Sequence, residues 1–352
     1  MFANLDTHAL LSEALEFNRK VAGGIDILRD LGEIDTGTTE REVVMRRDKL
    51  VLYRYTPQVK RPSAVPLLIV YALVNRPYMV DLQPDRSMVR ALLDAGLDVY
   101  LIDWGYPDAA DRYLDLDDYI NGYIHDCVTE LCRRHDTEAV NMLGICQGGA
   151  LSTCYAALHP ERVRNLVTMV TPIDFQTPDN LLSRWARSLD VDLLVDTLGN
   201  VPGALLNYTF LSMKPFRLTG QKYLDMVNLL DKPKALKNFM RMEKWIFDSP
   251  DQAGEAFRQF VKHFFQENRL LKGGLEIGGQ PVDPARISMP VLNVYATQDH
   301  LVPPAASQAL KTLVSSDDYS ELAFKGGHIG IYVSGRAQRE VPPAIAAWLK
   351  QR

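Results

Sequence analysis

The chain has 352 residues, 47% of them hydrophobic and 24% charged, which is ordinary for a globular protein near the length at which a single core begins to split. Its net charge of −5 argues against nucleic acid as the main partner, because phosphate binding needs a basic face. No apolar run approaches the ~20 residues of a membrane span, and the start MFANLDTHALLSEALEFNRK lacks the basic and apolar regions of a signal peptide.

Residues 7–31 follow helical spacing through Leu10, Leu11, Ala14, Leu15, Val21, Ile25 and Leu28, so residues 1–40 read as an N-terminal helical segment. Strand-type runs follow at 42–47 and 49–55, then the continuous apolar run 66–73, the pattern of a strand covered on both faces. From there helices at 86–96, 116–135 and 147–159 alternate with strands at 97–104, 139–145 and 163–172. This alternation calls for a mostly parallel sheet flanked by helices, an α/β fold.

Residues 175–285 break the pattern with helix-like stretches rich in Leu, Phe and Met. Strand signals return at 290–297 and 319–324, with helices at 303–314 and 341–350. The expected organisation is an α/β core from 1–174 and 286–352, interrupted by a mainly helical cap at 175–285. Within 211–244 eight Lys or Arg face three acids. That run reads either as a solvated helical face or as a site for a phosphorylated small ligand.

The four cysteines, Cys127, Cys132, Cys146 and Cys154, crowd together rather than spreading as staples. Cys127 and Cys132 lack the second pair a zinc site needs, so no metal and a reduced, cytoplasmic compartment are expected. Cys146 stands apart. In Gly144-Ile145-Cys146-Gln147-Gly148 it sits between a strand and a helix, where glycines permit the tight turn of a nucleophile elbow. The positive start of the next helix suits an anion there, and the Gln147 N–H is set to donate to an oxyanion.

Asp299 follows strand 290–297, and His328 follows strand 319–324 in AFKGGHIGIY. Nucleophile, acid, histidine is the chain order of the α/β-hydrolase triad, and each residue falls at the carboxyl end of a strand, where open α/β sheets bind ligands. Cys146 is therefore the expected nucleophile, His328 the general base and Asp299 the residue that orients it. The second oxyanion donor is expected in ALVNRP, from Val74 or the adjacent Asn75. His300 is placed to tune Asp299 or to contact substrate. His125, His135, His159 and His263 read as structural, and Cys154 as core packing.

LLIVYALVNRPYM, YLIDWGYPD, NMLGICQGG and RMEKWIFDSPDQAGE, with the acid and histidine above, closely resemble the catalytic subunit of class III polyhydroxyalkanoate synthases. The resemblance covers the whole chain, and the choice of class III over class IV rests on overall likeness. It implies an α/β-hydrolase fold and polymerisation of (R)-3-hydroxyacyl-CoA, chiefly 3-hydroxybutyryl-CoA, into polyester with release of CoA. It also implies a noncatalytic E-type partner subunit, a homodimer or higher assembly, attachment to polymer granules and no cofactor beyond the CoA of the substrate. Fold alone leaves open a cysteine-dependent hydrolase of the dienelactone-hydrolase or thioesterase type, or a scaffold without activity.

Overall fold

A computed structural model describes residues 12, 15 and 32–352. The predicted helix at 7–31 lies outside the described residues, apart from helical positions 12 and 15. Residues 32–40, included in the predicted helical segment, are irregular instead. Gly37 N–H donates to the Asp81 carbonyl, and Thr39 donates through both backbone and hydroxyl to the Asp81 carboxylate. These bonds draw the segment onto the body of the protein in place of a helical ladder.

The centre is an eight-stranded sheet. Its strands in chain order are β1 (Arg41–Arg47), β2 (Leu50–Tyr55), β3 (Leu67–Val70), β4 (Val99–Asp103), β5 (Val140–Ile145), β6 (Val163–Met169), β7 (Val291–Ala296) and β8 (Tyr319–Phe324). The spatial order is β1-β2-β4-β3-β5-β6-β7-β8. β1 and β2 pair antiparallel with their neighbours, and every pairing from β4 to β8 is parallel. The mostly parallel α/β architecture expected from the alternation is therefore present.

Successive residues of the inner strands point to opposite faces, yet both faces are apolar because helices cover both. Leu68 and Val70 join one buried cluster with α2 (His125–His135) and α3 (Gln147–Leu158). Leu67 and Ile69 join the other with α1 (Met88–Asp94) and α13 (Gly335–Lys350).

Several boundaries differ from the sequence reading. The helix expected at 86–96 begins at Met88 instead, because Arg86–Ser87 pair with Asp81–Gln83 and the Ser87 hydroxyl caps the Arg90 N–H. The stretch expected as helix at 116–135 opens with a π-helical run, Asp118–Ile124, before α2. The strand expected to reach 172 ends at Met169, where Val170 adopts φ 45° and turns the chain away from the sheet. The last helix begins at Gly335, not 341. Ser334 caps its Ala337 N–H, and the helix runs through Pro342 and Pro343.

Between β6 and β7 the chain forms α4 (Leu181–Arg187), α5 (Val191–Leu198), α6 (Gly203–Ser212), α7 (Lys222–Val227), α8 (Pro233–Phe247), α9 (Gly254–Phe260) and α10 (Arg269–Lys272). Two small apolar clusters pack inside this segment, one around Val191, Val195, Val201 and Val261, the other around Val227, Leu230 and Leu236. Among the described residues no helix is long and apolar enough to cross a membrane.

Candidate active site

β5 delivers Cys146 to the carboxyl edge of the sheet. Its backbone holds φ 54° and ψ −124°, a conformation that non-glycine residues rarely adopt and that lifts the side chain out of the turn. Close packing forces this turn. A Cβ on Gly148 would lie 2.2 Å from the Val70 carbonyl oxygen, and one on Gly144 would lie 2.5 Å from the Gly149 Cα. The elbow glycines thus let α3 press against the ends of β3 and β5. All four cysteines are free; Cys127, Cys132 and Cys154 are buried, and Cys146 alone is partly exposed. Burial pushes the Cys154 thiol up to about 12, so it stays protonated and inert.

Asp299 and His328 meet the elbow from β7 and β8. The two loops are joined by a bond from Gln298 N–H to the Gly326 carbonyl. Asp299 is buried, and one of its oxygens accepts from the Leu301 and Val302 amides at 2.8 and 3.0 Å. Its other oxygen lies 2.6 Å from His328 Nδ1. The amides fix the carboxylate, and the carboxylate fixes the ring, leaving Nε2 free while Cys146 acts electrostatically on His328.

Burial alone would lower the pKa of His328. The Asp299 carboxylate and then Cys146 outweigh it and raise His328 to about 10. The structure thus brings Cys146, Asp299 and His328 together from three separate strand ends, with His328 bonded to Asp299 and within electrostatic reach of Cys146.

Of the expected oxyanion donors, Gln147 opens α3, so its N–H has no intrahelical partner. Its side chain also binds the loop after β3, accepting from the Leu73 N–H at 3.1 Å. The Val74 N–H donates to no group among the described residues. The Asn75 side chain is engaged elsewhere, donating to the Trp245 and Ile246 carbonyls at 3.3 and 3.2 Å.

His300 is partly buried, and its pKa is lowered, first by that burial and next by the charge of Lys214. Lys214 and Arg217 both act on His300, so the start of the basic run lies within electrostatic range of it. Further along, Lys222 pairs with Glu243, Lys234 with Asp85, and Lys237 and Arg241 with Asp35. Half of the run's eight cations are thereby engaged in ion pairs.

His125, His135 and His159 take internal partners, respectively Tyr155, Tyr100 and Asn121, and His263 bonds Glu267. Two tyrosines escaped the sequence reading. Tyr332 sits edge-on to His328 with ring centres 6.1 Å apart, and Tyr71 packs on Tyr332 at 6.5 Å. Both are fully buried, and the Tyr332 hydroxyl has no hydrogen-bond partner. Tyr332 comes one helical turn after His328, a spacing that in sequence is indistinguishable from core packing.

Comparison with known proteins agrees with this arrangement. Residues 65–334 match the alpha/beta hydrolase fold family, and residues 30–92 match the N-terminus of poly-beta-hydroxybutyrate polymerase. A monoacylglycerol lipase from Paleococcus ferrophilus shares the fold with a TM-score of 0.53 at 19% identity, over 85% of this chain and 98% of the lipase. The poly(3-hydroxyalkanoate) polymerase subunit PhaC of Allochromatium vinosum is 64% identical, with 97% of each chain covered. That of Synechocystis is 51% identical over 100% of this chain and 95% of the relative. With likeness of that degree along its whole length, and a hydrolase-type site carrying cysteine at the elbow, the chain belongs to the poly(3-hydroxyalkanoate) polymerase family.

Proposed function

We propose that this chain polymerises (R)-3-hydroxyacyl-CoA, chiefly 3-hydroxybutyryl-CoA, into polyester with release of CoA. The observation that carries the reading is the line Asp299–His328–Cys146, which has a thiol where hydrolases of this fold carry a hydroxyl.

In this mechanism His328 accepts the Cys146 proton while Asp299 holds its ring in the required tautomer. The Cys146 sulfur forms a bond to the thioester carbonyl carbon, and the free amides of Gln147 and Val74 receive the developing oxyanion. The carbon–sulfur bond to CoA breaks, and His328 passes its proton to the departing sulfur. The acyl group then rests on Cys146 as a thioester. Serine would yield an oxygen ester and lose that activation, whereas cysteine exchanges thioester for thioester. The 3-hydroxyl of the next unit loses its proton to His328, attacks the carbonyl and frees Cys146, which recovers the proton. No cofactor is required.

Residues 175–285 act as a cap over this site. Water competes with the hydroxyl for the acyl-enzyme, so covering the site favours polymer over free acid. Large apolar side chains exposed there, such as Leu193, Tyr208 and Phe216, support contact with the polyester granule or with a second copy of the chain. The reading includes an E-type partner subunit and residence at the granule surface in the cytoplasm. Lys214 and Arg217, within electrostatic range of His300, are the part of the basic run assigned to meet CoA phosphates.

Feeding 3-hydroxybutyryl-CoA and separating the products tests the reading. Polymer together with CoA is expected. Free hydroxy acid with CoA would assign a hydrolase instead, and no CoA even with an E-type subunit present would leave a scaffold.

A further inference from the structure

After β3 the chain leaves the sheet, and residues 71–76 lie against the elbow. Several polar groups of this loop are held by other elements. The Leu73 N–H donates to Gln147 Oε1 at 3.1 Å, and its carbonyl accepts from Gln252 Nε2 at 2.9 Å. The Arg76 carbonyl accepts from Trp245 Nε1 at 2.8 Å, and the Arg76 guanidinium donates to Asp103 at 2.7 Å and to the Gly105 carbonyl at 2.8 Å. Asn75 donates to the carbonyls of Trp245 and Ile246. The Val74 N–H has no partner among the described residues, and neither have the N–H groups of Ala72, Asn75 and Arg76. Among these the Val74 amide adjoins Leu73, which is tied to Gln147 beside Cys146, so it is an unpaired donor placed next to the elbow.

Asn75 is the residue on which this geometry turns. Its φ of 60° lies in the left-handed region, where asparagine is among the few side chains tolerated. The same side chain supplies the two N–H groups that satisfy the last carbonyls of α8, groups that a helix end leaves without partners. Glycine would accept the backbone angle and lose both donors. Aspartate would keep the size and set a carboxylate against two carbonyl oxygens.

We propose that Asn75 is a positioning residue for acyl transfer: it aims the Val74 amide at the carbonyl oxygen of the acyl group on Cys146, and it fixes that amide to the end of α8. The inference rests on the acyl-transfer reading above. Its consequence is that the inserted helical segment takes part in the chemistry. α8 belongs to that segment, and Trp245, Ile246 and Gln252 hold the loop at Leu73, Asn75 and Arg76. A shift of α8 therefore moves an oxyanion donor, not only a cover.

The test uses the full-length enzyme with Asn75→Gly, Asn75→Asp and Trp245→Phe, which keeps an aromatic ring but loses its donor to Arg76. Three quantities are read: kcat and KM with 3-hydroxybutyryl-CoA, and the rate at which iodoacetamide alkylates Cys146, a reaction that forms no oxyanion. Misplacing a donor is expected to lower kcat in both Asn75 variants by about 10- to 100-fold, and less in Trp245→Phe, while KM and alkylation stay near wild type. Unchanged kcat in both Asn75 variants overturns the proposal. So does a parallel loss of alkylation, which would show that the elbow itself had been damaged. Cys146→Ala, assayed alongside, separates the two levels of inference. If it is inactive, a negative result with Asn75 refutes only the positioning role; if it turns over substrate, the acyl-transfer reading falls and this proposal with it.

Discussion

The sheet edge that carries Cys146, Asp299 and His328 and the helical segment between β6 and β7 are built on opposite terms. At the sheet edge two large buried clusters back the strands, the acid and histidine are buried, and each polar atom of the acid has a partner. The helical segment has only two small apolar clusters of its own. It also displays most of the exposed large apolar side chains among the described residues, including Leu193, Leu198, Leu205, Tyr208, Phe216, Leu224 and Phe247. The contrast separates two tasks. The first region holds reacting atoms in place, which needs dense packing. The second presents apolar surface outward, which is what contact with polyester or another chain requires.

Substitutions at the two regions should therefore behave differently. The largest effect is expected from Cys146→Ala, a loss of turnover of about 10⁴-fold or more by analogy with removal of a triad nucleophile, whereas Cys154→Ala should remain active. Steady-state CoA release measures both, and an active Cys146→Ala variant would remove the sheet edge from its assigned role.

Asp299→Asn should come next, with a loss of up to about 10⁴-fold, because the ring of His328 is no longer held in the right tautomer. It carries a pH signature as well. His328 is raised in the folded state to about 10, against 6.5 when unperturbed. Its imidazolium therefore stabilises the fold fully below pH 6.5, and that contribution is lost as pH rises through about 10. In Asp299→Asn the main raising charge is gone, burial dominates, and the alkaline decline in stability should flatten. Chemical denaturation between pH 6 and 10, with NMR titration of the His328 ring, would detect this; an identical slope in wild type and variant would contradict it.

A smaller effect is expected from Leu193→Ser with Tyr208→Ser in the helical segment. These side chains are exposed, so stability should hold and Cys146 should still be alkylated at the wild-type rate, while recruitment to polymer granules or self-association falls. Co-sedimentation with polymer and analytical ultracentrifugation read the two outcomes. No change in either would deny this surface its role. The smallest effect should come from Ser334→Ala, which removes the cap on α13 at a cost of about 1 kcal/mol without altering kcat.

Much of this was legible in the sequence, for reasons that differ by feature. The alternation of strands and helices follows from apolar runs alternating with helical spacing, and the elbow from its Gly-x-Cys-x-Gly pattern, although the contact that requires Gly148 is with the Val70 carbonyl of another strand. Asp299 and His328 are each marked by the strand that precedes them. What could not be read depends on contacts between distant parts of the chain. The Asn75 bonds to the end of α8 span about 170 residues. The committed ion pairs of the basic run, such as Arg241 with Asp35, span about 206. The hairpin that delays the start of α1 gives no periodic signal because its strands are two or three residues long.

The central claim is that the growing chain is carried on the sulfur at the elbow. Rapid quenching of the enzyme mixed with limiting 3-hydroxybutyryl-CoA, followed by peptide mass spectrometry, tests it most directly. The expected result is a hydroxybutyryl adduct on the peptide containing Cys146, at the Cys146 sulfur and absent from Cys146→Ala. Polymer formation with no such adduct, or with the adduct on Cys154, would contradict the account.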